Sequence, residues 1–213
     1  LYSVGNPGEH YRHIECAVRG ERRMAPCLSH VIYEDLAFEN SGVHGIAGTA
    51  VDVTVRRCSF CFIGGCVWNR QLKIRFGNGI EFWNTADDML VEDCFFNNVY
   101  DSCVTHQGAG PACRPANNLH YRRNLFMNYG MAAYEARDHM TVASSFTDNI
   151  CVRAIGGFSP MGDITPRRSE IWPQPMGHHL FLWRIPAAAE GGSLEILFIY
   201  GSGANARPED NKK

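Results

Sequence analysis

Three short segments of the chain carry side chains that could transfer protons or hold a polar substrate. In chain order they contain Glu81 and Trp83, then Asp101 and His106, then Glu135 and Arg137. Two carboxyl groups on one surface can divide acid and base work, because one donates a proton while the other activates water. We therefore predict Glu81 and Glu135 as a catalytic pair. His106 is the predicted third catalytic residue, which would orient the substrate and tune the pKa values of the carboxyl groups.

Whether the two glutamates can act together depends on how their strands align. One alignment places Glu81 beside Thr105 and Tyr134, whereas the other places Glu81 and Glu135 in one column with a single strand between them. In the second alignment two strand spacings separate them by about 9 to 10 Å, near the upper end of the range for an inverting glycosidase. The sequence leaves both alignments open, and a one-residue shift would turn a side chain from the surface to the core.

The same segments allow a second chemistry, removal of the proton beside a uronate carboxylate. The base would be one of three residues, Arg75, Lys73 or His106. A calcium ion would neutralise the uronate, and its predicted ligands are Asn78, Glu81 and Asp101. In either reaction the predicted substrate-binding residues are Trp83, Arg75, Asp101, Arg137 and Lys73. Trp83 would stack on a sugar ring, although it would equally suit a protein core.

A sequence repeat predicts the elements that position these residues. Clear copies occupy residues 30–48, 50–65, 88–108 and 118–137, and a weaker copy occupies 139–159. One position of the repeat holds Leu36, Cys58, Cys94, Asn124 and Asn149. Two residues later the first four copies hold Phe38, Phe60, Phe96 and Phe126. Ladders of this kind arise when equivalent residues stack in rungs about 4.8 Å apart. The pattern predicts an all-β fold, a right-handed parallel β-helix.

The repeat also divides the chain into segments. We expect an N-terminal segment or cap at 1–27, rungs at 28–160, a long loop at 161–177, terminal strands at 178–200 and a polar tail at 201–213. An insertion rich in Arg and Lys interrupts the second copy after residue 65, and insertions in solenoids collect on the binding face. Solenoid ends need caps, so we expect self-association at the open ends of the helix.

The composition of the chain limits the classes of partner that we expect it to bind. The formal net charge is −2, without the basic excess that a nucleic acid or an anionic membrane would favour. The longest apolar run, 194–200, contains Glu195 and is far shorter than the roughly 20 residues that span a bilayer. Nine cysteines include the pair Cys58 and Cys61, but no second pair follows at zinc spacing,. We therefore expect no nucleic acid, no membrane and no resident cofactor, with Ca²⁺ as the alternative.

The segments RFGNGIEFWN at 75–84 and VYDSCVTHQG at 99–108 resemble right-handed parallel β-helix proteins of the pectin lyase-like superfamily. The resemblance covers about residues 28–185, and it implies a secreted or periplasmic protein that acts on carbohydrate. The series of aspartate motifs of polygalacturonases is reduced here to NTADD at 84–88, and the Y-G-x-D-P-H motif of alginate epimerases is missing. Because acidic groups dominate the predicted groove and no paired aspartate cage for calcium appears, a glycoside hydrolase is expected first, a calcium-dependent polysaccharide lyase second, and a non-catalytic glycan-binding or structural β-helix third.

Overall fold

The structure is a computed structural model. It describes residues 5, 6, 9, 22–69, 71, 74–84, 86–108, 116–137, 143–154, 177–183, 194–196 and 199–202. Lys73 and most of the predicted loop at 161–177 lie outside the described residues, as does the polar tail beyond residue 202. Among the described residues, no helix is long and apolar enough to cross a membrane.

Eighteen of the strands, numbered in chain order, form three sheets of six. Sheet A contains β1 (Arg23–Pro26), β4 (His44–Gly48), β9 (Ile80–Trp83), β12 (Ser102–Gln107), β15 (Ala132–Arg137) and β18 (His178–Trp183). Sheet B contains β2 (Val31–Glu34), β5 (Val51–Arg56), β10 (Asp87–Glu92), β13 (Asn117–Arg122), β16 (Ser144–Thr147) and β19 (Leu194–Ile196). Sheet C contains β3 (Ala37–Ser41), β6 (Ser59–Ile63), β11 (Phe95–Val99), β14 (Leu125–Tyr129), β17 (Asn149–Ala154) and β20 (Ile199–Ser202).

The chain visits the sheets in a fixed order. Each circuit passes from sheet B to sheet C to sheet A, and the strands of successive circuits pair in parallel. This arrangement is a parallel β-helix, and the predicted fold class is confirmed. Sheet A already begins within the predicted N-terminal segment, because β1 pairs with β4. Pairing continues as far as residue 202 in β20.

The bend between sheets B and C explains the first predicted ladder. The residue before each ladder position has a left-handed φ; these residues are Asp35, Arg57, Asp93, Arg123 and Asp148, with φ between 50° and 55°. Further along the helix, side-chain amides join the bends. Asn124 Oδ1 accepts a hydrogen bond from the Cys94 N–H at 2.9 Å, and Asn149 Oδ1 accepts one from the Asn124 N–H at 2.9 Å. These bonds satisfy backbone donors that the bend removes from the sheets.

The second ladder is an aromatic stack in the core. The rings of Phe38, Phe60, Phe96 and Phe126 follow one another at centroid distances of 4.8, 4.7 and 5.0 Å. The strand register pairs the same residues. Both predicted ladders are therefore present, and they fix the rungs that carry the candidate site.

The insertion in the second copy forms an antiparallel hairpin of β7 (Cys66–Asn69) and β8 (Ile74–Phe76). Its base requires glycine, because a Cβ atom on Gly77 would lie 2.1 Å from the Cα atom of Gly64. The ring of Phe76 then packs against His44, at a centroid distance of 5.0 Å. The hairpin therefore leads directly into β9, the strand that carries Glu81.

Candidate functional site

The two predicted catalytic glutamates lie in one column on the outer face of sheet A. Thr105 pairs with Glu81 on one side and with Glu135 on the other. The second of the two alignments left open by the sequence is therefore the observed one. The neighbouring column of Ile80 and Val104 belongs to the hydrophobic core, so the alternation of a strand directs the glutamate column outward.

His106 follows Thr105 on β12 but lies on the opposite face of that strand. It pairs with Phe82 and Ala136, which both belong to the core. Its Nδ1 atom is 2.9 Å from the hydroxyl of Tyr134, another core residue, and only 3% of its surface is exposed. The structure thus separates His106 from the glutamates, because side chains one residue apart on a strand point to opposite faces.

A continuous chain of hydrogen bonds connects the two glutamates. Asn78 Nδ2 donates to Glu81 Oε2 at 2.7 Å, and Asn78 Oδ1 accepts from the Ser102 N–H at 2.9 Å. Ser102 Oγ donates to Glu135 Oε2 at 3.0 Å, and Arg137 Nε donates to Glu135 Oε1 at 2.9 Å. We call these residues, together with His44, the sheet A polar chain: His44, Asn78, Glu81, Ser102, Glu135 and Arg137. It spans four neighbouring rungs, those of β4, β9, β12 and β15, and is largely buried.

His44 and Glu81 form a close pair at one end of this chain. His44 Nδ1 lies 3.0 Å from Glu81 Oε2, and the same Nδ1 accepts a hydrogen bond from the Asn78 backbone N–H at 2.9 Å. Burial lowers the pKa of His44 to about 4, and Arg22 adds to this effect while Asp101 opposes it. A nitrogen that accepts a backbone hydrogen bond carries no proton, so the geometry agrees with a neutral His44.

Glu81 has the opposite shift. Burial raises its pKa to about 7, and the negative charge of Asp101 raises it further, against hydrogen bonds from Asn78 and Gln107 and the charge of Arg137. The carboxyl group is therefore protonated in mildly acidic solution. Glu135 instead contacts the guanidinium of Arg137, an arrangement that suits an ionised carboxylate. The two members of the pair have environments that favour different protonation states, as acid–base catalysis requires.

The predicted calcium ligands do not fit a calcium site. Asn78 directs its amide nitrogen, a donor, towards Glu81, while its oxygen already accepts from Ser102. Calcium needs several converging oxygen atoms. Across the described residues, no group of three or more His, Cys, Asp or Glu side chains could hold a metal ion. Asp101 is close enough for its charge to act on both His44 and Glu81, which is an electrostatic effect rather than a shared ligand set.

The predicted substrate-binding residues are dispersed. Trp83 pairs with Gln107 on the rim of the outer face and is 37% exposed. Arg137 is within the sheet A polar chain, with 27% of its side chain exposed. Arg75 lies on hairpin strand β8, opposite Val67, rather than on sheet A. Lys73 is outside the described residues.

Sequence reasoning missed His44 and Ser102. A signal for His44 was present, because the tripeptide His-Gly-Ile at 44–46 repeats as Asn-Gly-Ile at 78–80. These tripeptides end at Ile46 and Ile80, which are paired in the structure. Ser102 carried no comparable signal, since its role depends on a hydrogen bond to a residue 33 positions away.

Comparison with known proteins gives no family for this chain. No protein-family model matches it. Neither the curated proteins nor the solved structures contain a match. The structure shows a parallel β-helix, and the likeness to the pectin lyase-like superfamily is one of sequence pattern alone.

Proposed function

We propose that this β-helix hydrolyses glycosidic bonds in a polysaccharide or oligosaccharide, with Glu81 as general acid and Glu135 as general base. The observation that carries the proposal is their shared outward column, with one residue between them. Two strand spacings place the backbones of the two residues about 9 to 10 Å apart. Inverting enzymes hold their two carboxyl groups about 6.5 to 9.5 Å apart, which leaves room for a water molecule beside the sugar, and the backbone spacing here is near the upper end of that range.

The proton positions give each residue its role. Glu81, with a pKa of about 7, can hold a proton for the leaving oxygen at mildly acidic pH. Glu135, paired with Arg137, can take a proton from the attacking water. Activity is therefore expected to decline as the pH rises through about 7, because Glu81 then loses the proton that it must donate,.

Trp83 and Arg137 would form the first contacts with the sugar. Both are more exposed than the two glutamates, and an aromatic ring together with a cation on one face suits a sugar that carries polar or acidic groups. Glu81 and Glu135 expose only 8% and 1% of their surfaces. The proposal therefore requires this face to open when substrate binds.

The burial of Glu135 favours a second candidate function. In that case the sheet A polar chain would connect neighbouring rungs of a non-catalytic glycan-binding or structural β-helix. Hydrogen-bonded polar groups in a buried position rigidify a fold without needing a substrate. The two candidates differ in one measurable property, turnover.

The test is incubation with a panel of neutral and uronate-containing polysaccharides, with and without a calcium chelator. New reducing ends without a rise in ultraviolet absorbance would support hydrolysis. Glu81→Gln and Glu135→Gln should each lower the rate by about 10²- to 10⁴-fold, while the control Glu39→Gln, at an exposed position of β3, should retain it. Circular dichroism of each variant verifies folding.

Three outcomes would overturn the proposal. Undiminished cleavage in both variants would exclude the carboxylate pair. An absorbance rise that the chelator abolishes would show a calcium-dependent lyase instead. No product from any polysaccharide would favour the structural candidate.

A further inference from the structure

A second group of chemically competent side chains lies on sheet B, away from the sheet A polar chain. Ser145 Oγ is 2.7 Å from His120 Nδ1, and His120 Nε2 is 2.6 Å from Asn118 Oδ1. Asn118 Nδ2 in turn donates to Asp88 Oδ1 at 2.6 Å. The four residues come from three adjacent strands, β10, β13 and β16.

The positions of the protons can be assigned from Asp88, the last residue of this hydrogen-bonded series. An ionised aspartate can only accept hydrogen bonds, so Asn118 must present its NH₂ group to Asp88. Its oxygen then faces His120, and Nε2 must carry the imidazole proton. In a neutral imidazole the other nitrogen is an acceptor. Nδ1 is therefore the acceptor, and the Ser145 hydroxyl donates to it.

We propose that Ser145 is a nucleophile for activated acyl esters, with His120 as its general base and with Asn118 and Asp88 as positioning residues. A nucleophile bonded to a base, and a base oriented by a third group, is the arrangement that activates serine in covalent catalysis. The proposal concerns a different sheet, different residues and a different reaction from the glycosidase proposal.

The reaction balances with these residues alone. Ser145 Oγ would attack the ester carbonyl as its proton passes to His120 Nδ1, and the C–O bond to the leaving alcohol or phenol would then break. His120 would return the proton to the leaving oxygen. Water, activated by His120, would later hydrolyse the acyl-serine and release the carboxylic acid.

The surroundings indicate the substrate class and the rate-limiting step. Ser145 and His120 are both half-buried, so a small ester can reach them, and Leu90 lies directly beside His120 in the same column. An apolar neighbour suits a short acyl or aryl group. The strands that carry Ser145 and His120 pair with each other through their backbones, which leaves few N–H groups for an oxyanion. We expect an acylation burst followed by slow deacylation.

The experiment measures the burst of p-nitrophenol from p-nitrophenyl acetate and maps the site labelled by a fluorophosphonate probe. Wild-type protein should release about one equivalent and carry the label on Ser145. Ser145→Ala should abolish both signals. The control Thr54→Ala alters a hydroxyl residue in the same column, two strands from His120, and should change neither.

Two further variants test the base and its orientation. His120→Ala should slow the burst by at least about 10²-fold, and added imidazole should restore part of the rate. Asn118 has a φ of 60°, which glycine tolerates; Asn118→Gly should therefore slow the burst without backbone strain. The double variant Asp88→Asn with Asn118→Asp should retain the burst, because the amide at position 88 can donate to the carboxylate at position 118, which in turn accepts from Nε2,.

Four results would overturn the proposal: absence of a burst, labelling spread over several serines, labelling that survives Ser145→Ala, or an unchanged rate in His120→Ala. The burst requires neither glutamate of the glycosidase proposal, because Ser145 and His120 lie on sheet B and the glutamates on sheet A. Failure of this site would therefore leave the glycosidase proposal untouched, and the reverse also holds.

Discussion

Charged residues are arranged in opposite ways on sheet A and at the bend between sheets B and C. At the bend they form two columns whose sign alternates from rung to rung; the first column is partly buried and the second is exposed. One column contains Glu34, Arg56, Glu92 and Arg122, and the other contains Asp35, Arg57, Asp93, Arg123 and Asp148. We call this set the bend charge ladder. Its ion pairs include Arg57 with Asp35 at 2.9 Å and Arg123 with Asp93 at 2.8 Å.

The sheet A polar chain separates its charges by neutral groups instead. Thr105 stands between Glu81 and Glu135 in their column, and Asn78 and Ser102 connect them by hydrogen bonds. A solenoid stacks equivalent residues about 4.8 Å apart, so two like charges in neighbouring rungs would repel. Alternating sign avoids this repulsion in water, and neutral spacers avoid it where the carboxyl groups are buried.

This difference predicts that losing a charged partner costs less stability at the bend than on sheet A. Exposed ion pairs contribute about 0 to 1 kcal/mol each, because water and salt screen them. A buried charge that loses its partner costs about 3 to 5 kcal/mol. The losses of unfolding free energy caused by substitutions in the two regions should therefore differ in size, in pH dependence and in sensitivity to salt.

The largest expected effect is that of Glu135→Leu. Glu135 is 1% exposed and accepts hydrogen bonds from Ser102 and Arg137. Its removal leaves both donors without this acceptor, so we expect the free energy of unfolding to fall by about 3 to 5 kcal/mol. Urea denaturation measures this free energy of unfolding. The control Glu39→Leu, at an exposed position, should stay within about 0.5 kcal/mol, and a comparable loss in both would remove the contrast between the regions.

The next effect is a change in pH dependence caused by Glu81→Gln. The pKa of Glu81 rises from 4.5 to about 7 on folding, so its stabilising contribution is present below about 4.5 and lost as the pH rises through 7. His44, whose pKa falls from 6.5 to about 4, contributes stability above 6.5 that is lost in acid. In the wild type the two contributions oppose each other, and the pH profile should be shallow between 5 and 7.

Glu81→Gln should remove the contribution of Glu81 and leave that of His44. From pH 5 to pH 8 the variant should gain about 2 to 3 kcal/mol relative to the wild type, at about 1.4 kcal/mol per pKa unit. At the bend the pH dependence of stability has the opposite sign to that of Glu81. Hydrogen bonds from Arg123 lower the pKa of Asp93, so the stability that Asp93 contributes is present at neutral pH and is lost in acid. Urea titrations at several pH values measure both, and parallel profiles for wild type and Glu81→Gln would contradict the assigned shift.

The sequence predicted most of the fold because stacked rungs repeat their chemistry. Phe60 and Phe96 occur at equivalent positions and stack in the core, and the strand period fixed the column of the glutamates once the register was known. His106 could not be placed in this way, since one residue of register decides between face and core. The burial of Glu135 also depends on atoms distant in sequence, which no local pattern records.

The bend charge ladder, by contrast, is visible in the sequence itself. The dipeptides Glu-Asp at 34–35, Arg-Arg at 56–57, Glu-Asp at 92–93 and Arg-Arg at 122–123 alternate in sign from copy to copy. Each lies immediately before the first ladder position. Alternating charge at a fixed repeat position therefore indicates the register of a β-helix as well as an aromatic ladder does.

The smallest expected effect is that of Arg123→Gln on the bend charge ladder. Arg123 contacts Glu92 at 2.7 Å and Asp93 at 2.8 Å, but 47% of its side chain is exposed. We expect a loss of about 1 kcal/mol at low ionic strength. The loss should shrink in about 1 M salt, where the Debye length falls to about 3 Å and salt weakens the attraction between exposed charges. Arg153→Gln is the matched control, because Arg153 is exposed and has a similar φ of 58° but lies outside the ladder. A loss that salt does not reduce would mean that Arg123 acts by packing rather than by charge, and the exposed ladder would then resemble the buried chain of sheet A.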